Sequence, residues 1–203
     1  MKHHRVILMI MIIGIASFLT GCASTPKVER IEVDKIIDIS GRWNDTDSRL
    51  VAEDMIRDCL KQPFLEKFKS KNNGVPTFIV GLIKNRSHEH INVQTFVKDL
   101  ERALINSGRV QFVASKGERG QIREERLDMA KHASEDTMKG PGEEVGADFM
   151  LIGAINTVRD EAGGKAIMYY QVNLELIATA NNVKAWVGEK KIKKLIKKPR
   201  LSW

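Results

Sequence analysis

Two histidines one residue apart are the first feature that can do chemistry. The segment NRSHEH, residues 85–90, holds His88 and His90 with Glu89 between them. In an extended chain residues i and i+2 point the same way, so both imidazoles can reach one metal ion. A third ligand is missing nearby, because His132 belongs to a separate helical pattern. A loop that follows a strand is also where recognition residues gather. Arg86, His88 and His90 are therefore expected to contact a partner, and no metal site is expected.

The segment SGRWNDTDSR, residues 40–49, sets four oxygen-bearing side chains in a row, Asn44 to Asp47. A calcium loop needs alternating oxygen ligands, a glycine turn and a closing bidentate Glu. Here there is no glycine between the acids, and the run passes straight into a helical pattern. Asn44 or Asp45 is suited to cap that helix, and Asp47 adds negative charge near its positive end. Trp and Arg are enriched at binding hot spots. Arg42 and Trp43 are thus contact candidates, although a Trp just before a helix is expected to pack on its own domain.

No catalytic set accompanies these residues. The serines lack a glycine-framed strand-to-helix turn. KGPGEEVG, residues 139–146, is rich in glycine but follows a helix, which argues against a phosphate cradle. Glu124–Glu125 and Glu143–Glu144 are sequence neighbours and splay apart on a helix. The chain is expected to be no enzyme and to need no cofactor.

The elements that position these residues read as one α+β domain. Residues 45–70 carry apolar residues at helical spacing, broken at Pro63. Residues 77–85, TFIVGLIKN, read as a buried strand. Residues 92–108 are the clearest helix, with Asn92 as cap, Val93, Phe96, Val97, Leu100 and Leu104 on one face, and Gly108 as stop. A short strand is expected at 109–115. A polar surface helix is expected at 118–139, with Ile122, Met129, Ala130 and Ala133 turned inward. Strands follow at 147–156, 167–177 and 183–190, joined by turns at 160–165 and 180–182. In the middle of these, Met168, Tyr170, Val172, Leu174 and Leu176 alternate onto one face. The expected architecture is a single sheet of about four to five strands, ending in an antiparallel meander and flanked by helices.

The N-terminus sets the compartment. Lys2 and Arg5 precede an uncharged apolar run from Val6 to Leu19. That run is shorter than the roughly 20 residues a spanning helix needs and has the order of a secretory signal. It ends in LTGC, which resembles a bacterial lipobox. By that resemblance residues 1–21 are removed and Cys22 is lipidated, with two or three acyl chains giving a stable anchor. Ala23, rather than Asp, implies release to an outer membrane with the domain facing the periplasm. Residues 22–40 then form a tether reaching roughly 60 Å when extended, and residues 41–203 form the domain. Cys22 and Cys59 are the only cysteines, so Cys59 is expected to be a buried apolar side chain. The net charge is +7, yet that compartment excludes nucleic acid as a partner. The basic block EKKIKKLIKKPR, residues 189–200, is expected as a solvated tail or a frayed last strand. Its lysines suit anionic lipid headgroups or an anionic envelope polymer.

The run FIVGLIKNRSHEHINVQTFVKDLERALINSGRVQFVAS, then VGADFMLIGAI, YYQVNLELI and VKAWVGEKK, resembles the LpoB family of outer-membrane lipoproteins. The resemblance covers residues 75–202, and through SGRWNDTDSR extends from residue 40 onward. It implies a non-catalytic binding module, similar in fold to the N-terminal domain of TolB. Such a module docks on a class A penicillin-binding protein and raises glycan polymerisation and peptide crosslinking. The chain departs from the family in its tether, which is short and holds only Pro26, where known members carry a long proline-rich one. The competing expectation is an envelope scaffold or oligomeric export lipoprotein related to the curli-secretion family.

Overall fold

Asn44 begins the domain's first helix by a reciprocal cap. Its side-chain oxygen accepts from the Asp47 N–H at 3.0 Å, and the Asp47 carboxylate accepts from the Asn44 N–H at 3.0 Å. Such an exchange satisfies two otherwise orphaned N–H groups and stabilises a helix by about 1 kcal/mol. The helix is α1, Asp45–Lys61. Pro63 stands at the N-cap of α2, Phe64–Asn72, so the proline separates the two as its sequence position required.

In the computed structural model, which describes residues 28–139, 142 and 144–197, the order of elements continues after α2. It runs β1 (Thr77–Arg86), α3 (Val93–Asn106), β2 (Gln111–Phe112), α4 (Lys116–His132), β3 (Phe149–Ala162), β4 (Lys165–Ala178) and β5 (Lys184–Lys197). Cys22 and the leader lie outside the described residues. Among the described residues, those up to Lys35 belong to one unit and those from Ile36 to a second, which holds every helix and strand named here. Among the described residues no helix is long and apolar enough to cross a membrane.

The five strands form one sheet in the order β2-β1-β3-β4-β5. β1 is parallel to both neighbours, and β3, β4 and β5 form an antiparallel meander. Gly163 and Gly164 make the β3–β4 turn with φ of 55° and 73°, the pair of positive values that a two-residue hairpin turn demands. The α+β class and the meander are therefore as the sequence pattern implies.

One face of the sheet is the core. Tyr170, Val172, Leu174 and Leu176 of β4 are fully buried on it, and Phe78, Leu151 and Ile155 join them from β1 and β3. The apolar stripe of α3, Phe96, Leu100 and Leu104, is fully buried against this layer, and Val51, Ile56 and Cys59 of α1 close it. Each such large side chain contributes roughly 1.5–3 kcal/mol by leaving water. Burial pushes the Cys59 thiol up to about 12, so it is a packing group at neutral pH.

Three expectations are corrected. The strand expected at 109–115 shrinks to two residues, because β2 finds ladder partners only at Thr77 and Phe78. The surface helix is α4, and no residue of it is buried: Ile122 is exposed, and the helix stands clear of the core. The basic block 189–200 is not a tail as far as Lys197, because β5 runs on to that residue, paired with β4 back to Lys165. Its apolar residues therefore alternate with strand period: Ile192 and Ile196 pack on the core, and Leu195 points to the opposite face and is exposed.

Candidate functional site

The segment after β1 bends over the end of the sheet and brings the two histidines to a surface corner. Alternation puts His88 and His90 outward and turns Glu89 toward the interior. His88 is held twice by Thr157 of β3. Its backbone N–H donates to the Thr157 hydroxyl at 3.1 Å, and its ring Nδ1 lies 3.0 Å from the same oxygen. Asn85 braces the turn: its side-chain nitrogen donates to the Glu89 carbonyl at 2.8 Å.

Glu89 is the clasp that ties this loop to the domain entry and to the sheet. Its Oε2 accepts from the Tyr170 hydroxyl at 2.8 Å and from the Trp43 N–H at 3.1 Å. Burial, and then the bond to Glu89, hold the Tyr170 hydroxyl above its ordinary pKa, so it stays a donor throughout the physiological range. Oε1 of Glu89 is buried without a hydrogen-bond partner among the described residues. An unpaired buried polar atom costs about 1–3 kcal/mol, and such a group marks a place where packing is not the only demand.

Trp43 reaches the core edge-on, with its ring centroid 5.6 Å from that of Tyr170 and 6.0 Å from that of Phe96. Its remaining surface, with Arg42, His88, Glu89, His90, Arg159 and Met168, lines a cavity of about 270 Å³. Its lining therefore combines two guanidinium groups, two imidazoles and the Glu89 carboxylate with an aromatic ring and a thioether. Arg159 shares its charge with Glu161 at 2.6 Å, whereas the Arg42 guanidinium has no ion-pair partner among the described residues.

An ion triad, buried at Lys194 and Asp47 and exposed at Asp38, fixes the approach to this corner. Lys194 of β5 donates to Asp47 at 2.6 Å and to Asp38 at 2.5 Å, and also reaches the Arg42 carbonyl at 3.2 Å. Burial pulls the Lys194 pKa down, but the bonds from the two carboxylates outweigh it and hold it above the ordinary lysine value. Asp38 is lowered, chiefly by its bond from Lys194. Asp47 is raised, because its burial outweighs the pull of the same lysine.

Of the five sequence candidates, Arg42, Trp43, His88 and His90 share this one cavity. Arg86 does not. It ends β1 on the opposite sheet face, next to Asn156, where it lines a separate trough with Leu82, Lys84 and Ala154. Sequence reasoning missed Glu89, Tyr170, Arg159 and Lys194. The i, i+2 alternation that pairs the histidines was itself the signal that Glu89 faces inward. Among the described residues no group of three or more His, Cys, Asp or Glu side chains is placed to hold a metal ion.

Comparison with known proteins gives one family. The model described as "Peptidoglycan-synthase activator LpoB" matches residues 47–192, from the first turn of α1 into the second half of β5. No curated protein matches. Among solved structures, the C-terminal domain of LpoB from Salmonella enterica is 16% identical, with 66% of this chain and 95% of that one covered and a TM-score of 0.35. The solution structure of LpoB from Escherichia coli is 14% identical over 87% of this chain and 85% of that one, at a TM-score of 0.37. A lipoprotein from Neisseria meningitidis is 12% identical over 59% of this chain and 83% of that one, at a TM-score of 0.38.

Proposed function

The chain belongs to the LpoB family of peptidoglycan-synthase activators, and from that membership we propose that it binds a class A penicillin-binding protein and raises its activity without doing chemistry itself. It is a lipoprotein anchored by acylated Cys22 in the outer membrane, with its domain facing the periplasm. The contact surface is the corner of Arg42, Trp43, His88 and His90; Arg86, on the other face of the sheet, is not part of it. The alternative, an export scaffold, gains nothing from the family match.

The single observation that carries this reading is the convergence of those four residues on one cationic cavity, drawn from segments more than forty positions apart. A surface of that kind suits an acidic patch on a partner. The Trp43 ring, already immobilised against Phe96 and Tyr170, offers contact area at little entropic cost. Activation requires that this surface bind the active conformation of the synthase more tightly than the inactive one, since a ligand shifts an equilibrium only by its differential affinity. The acyl anchor contributes by raising local concentration.

Hydrogen exchange on the domain, with and without the synthase of the same envelope, tests the surface. Protection is expected at residues 42–43 and 88–90. Protection confined to other elements, or none at all, contradicts the assignment.

A further inference from the structure

The face of the sheet opposite the helices is uncovered. Val158, Val187 and Leu195 are each about three-fifths exposed on it. The strand registers lay its side chains out in rows. One row runs Arg86, Asn156, Gln171, Lys191 across β1, β3, β4 and β5. The next runs Lys84, Ala154, Asn173, Glu189, and on the other side Tyr169 lies beside Lys193. At about 4.8 Å per strand, four strands span about 14 Å.

The middle of this face is rich in amides, and its two carboxylates, Glu175 and Glu189, are paired with Lys184 and Lys191. Gln171 donates to Asn173 at 3.0 Å, and the Tyr169 hydroxyl donates to Gln171 at 3.3 Å. Ala154 leaves room above the sheet, and the trough of about 440 Å³ there is lined by Lys84, Arg86, Asn156, Asn173 and the Lys184-paired Glu175. Lys84 and Lys193 stand on either side with no ion-pair partner among the described residues. A surface built only to meet an acidic protein has no need of a carboxamide ladder. Carboxamides and a tyrosine read hydroxyl and acetamido groups, and flanking cations read carboxylates.

We infer that this open face binds an acetamido-substituted glycan bearing carboxylates, which is the chemistry of the polymer a peptidoglycan synthase makes. The inference rests on the family's relation to that polymer and is independent of the corner proposed for the synthase. Asn156 and the Gln171–Asn173 pair hold the sugar's acetamido and hydroxyl groups, and Lys84 and Lys193 hold its carboxylates. An activator with such a face touches both the enzyme and its product.

Co-sedimentation of the purified domain with isolated peptidoglycan sacculi tests this, with chitin (acetamido groups, no carboxylates) and immobilised polyglutamate as comparison matrices. The domain is expected to pellet with sacculi, less so at high salt, and weakly with chitin. Asn173→Ala should weaken both interactions about three- to tenfold. Lys84→Ala with Lys193→Ala should weaken sacculus binding alone. Asn173→Asp, which keeps the shape and adds like charge, should weaken sacculus binding further. Circular dichroism establishes that each variant is folded. Arg42→Ala with His90→Ala should pellet as the parent does. No pelleting with sacculi overturns the inference, as does binding that these open-face variants leave unchanged. So does polyglutamate binding as strong as sacculus binding, or loss of pelleting in the Arg42/His90 variant.

Discussion

Lys194 shows how much a single residue can decide here. It is 9% exposed and its partner Asp47 is 8% exposed, so removing the lysine strands a carboxylate away from water. Breaking one partner of a buried pair costs roughly 3–5 kcal/mol. Lys194→Met is expected to lower unfolding stability at pH 7 by about 3 kcal/mol in a urea titration, and adding Asp47→Asn should restore part of it. Because the Asp47 pKa is already raised, its carboxyl takes up a proton early as pH falls, so the cost should shrink in acid. Tyr170→Phe removes one of the two donors to a half-buried carboxylate that already has an unpaired oxygen, and should cost about 1–3 kcal/mol by the same measurement. Asn44 was legible in the sequence because its partner lies three residues on. Lys194 and Glu89 were not, because Asp47 and Tyr170 lie far from them along the chain, and only the folded sheet brings them together.

At the level of elements, α4 is the part whose stability depends on its ends, since none of its residues is buried. Its cap is reciprocal: the Ser115 N–H donates to the Glu118 carboxylate at 2.8 Å and the Glu118 N–H donates to the Ser115 hydroxyl at 3.4 Å, while Lys98 of α3 donates to the same carboxylate at 3.0 Å. The Ser115 backbone, then its hydroxyl, then Lys98 lower the Glu118 carboxyl to about 2. A lowered carboxyl stabilises the fold above its unfolded value of 4.5 and loses that contribution as pH falls toward about 2. Amide exchange should therefore show α4 loosening over that window before the core does, and Glu118→Gln should abolish the dependence. The sequence marked α4 as a surface helix but assigned it an inward stripe it does not have, because its apolar residues are too sparse to hold it against the sheet. For β5 the error ran the other way. Lysine density suggested a solvated tail or at most a frayed strand, but Ile192 and Ile196 alternate with the period of a strand, and pairing with β4 continues to Lys197. Lysines along that edge also discourage the sheet from pairing with another chain. Near the start of β5, the Trp186 ring lies over Gly188, where a Cβ would stand 2.0 Å from it. Gly188→Ala should expel that ring and its bond to Asp58, visible as a shift in tryptophan fluorescence.

For the whole molecule, the order of elements, the meander and the core face of β4 were legible because each rests on local periodicity. The corner was legible only in part: residue types marked four of its members, while its cationic closure by Arg159 depends on β3 extending to Ala162. The sheet has one face packed, one face open and the cavity of Arg42, Trp43, His88 and His90 at its end. The most direct test is the rate of glycan polymerisation by the class A synthase of the same envelope, titrated with the soluble domain. The parent domain is predicted to raise the rate saturably, and Arg42→Ala with His90→Ala to need about tenfold more protein for the same effect. No rate increase with the parent domain, or an equal response from the variant, would contradict the account.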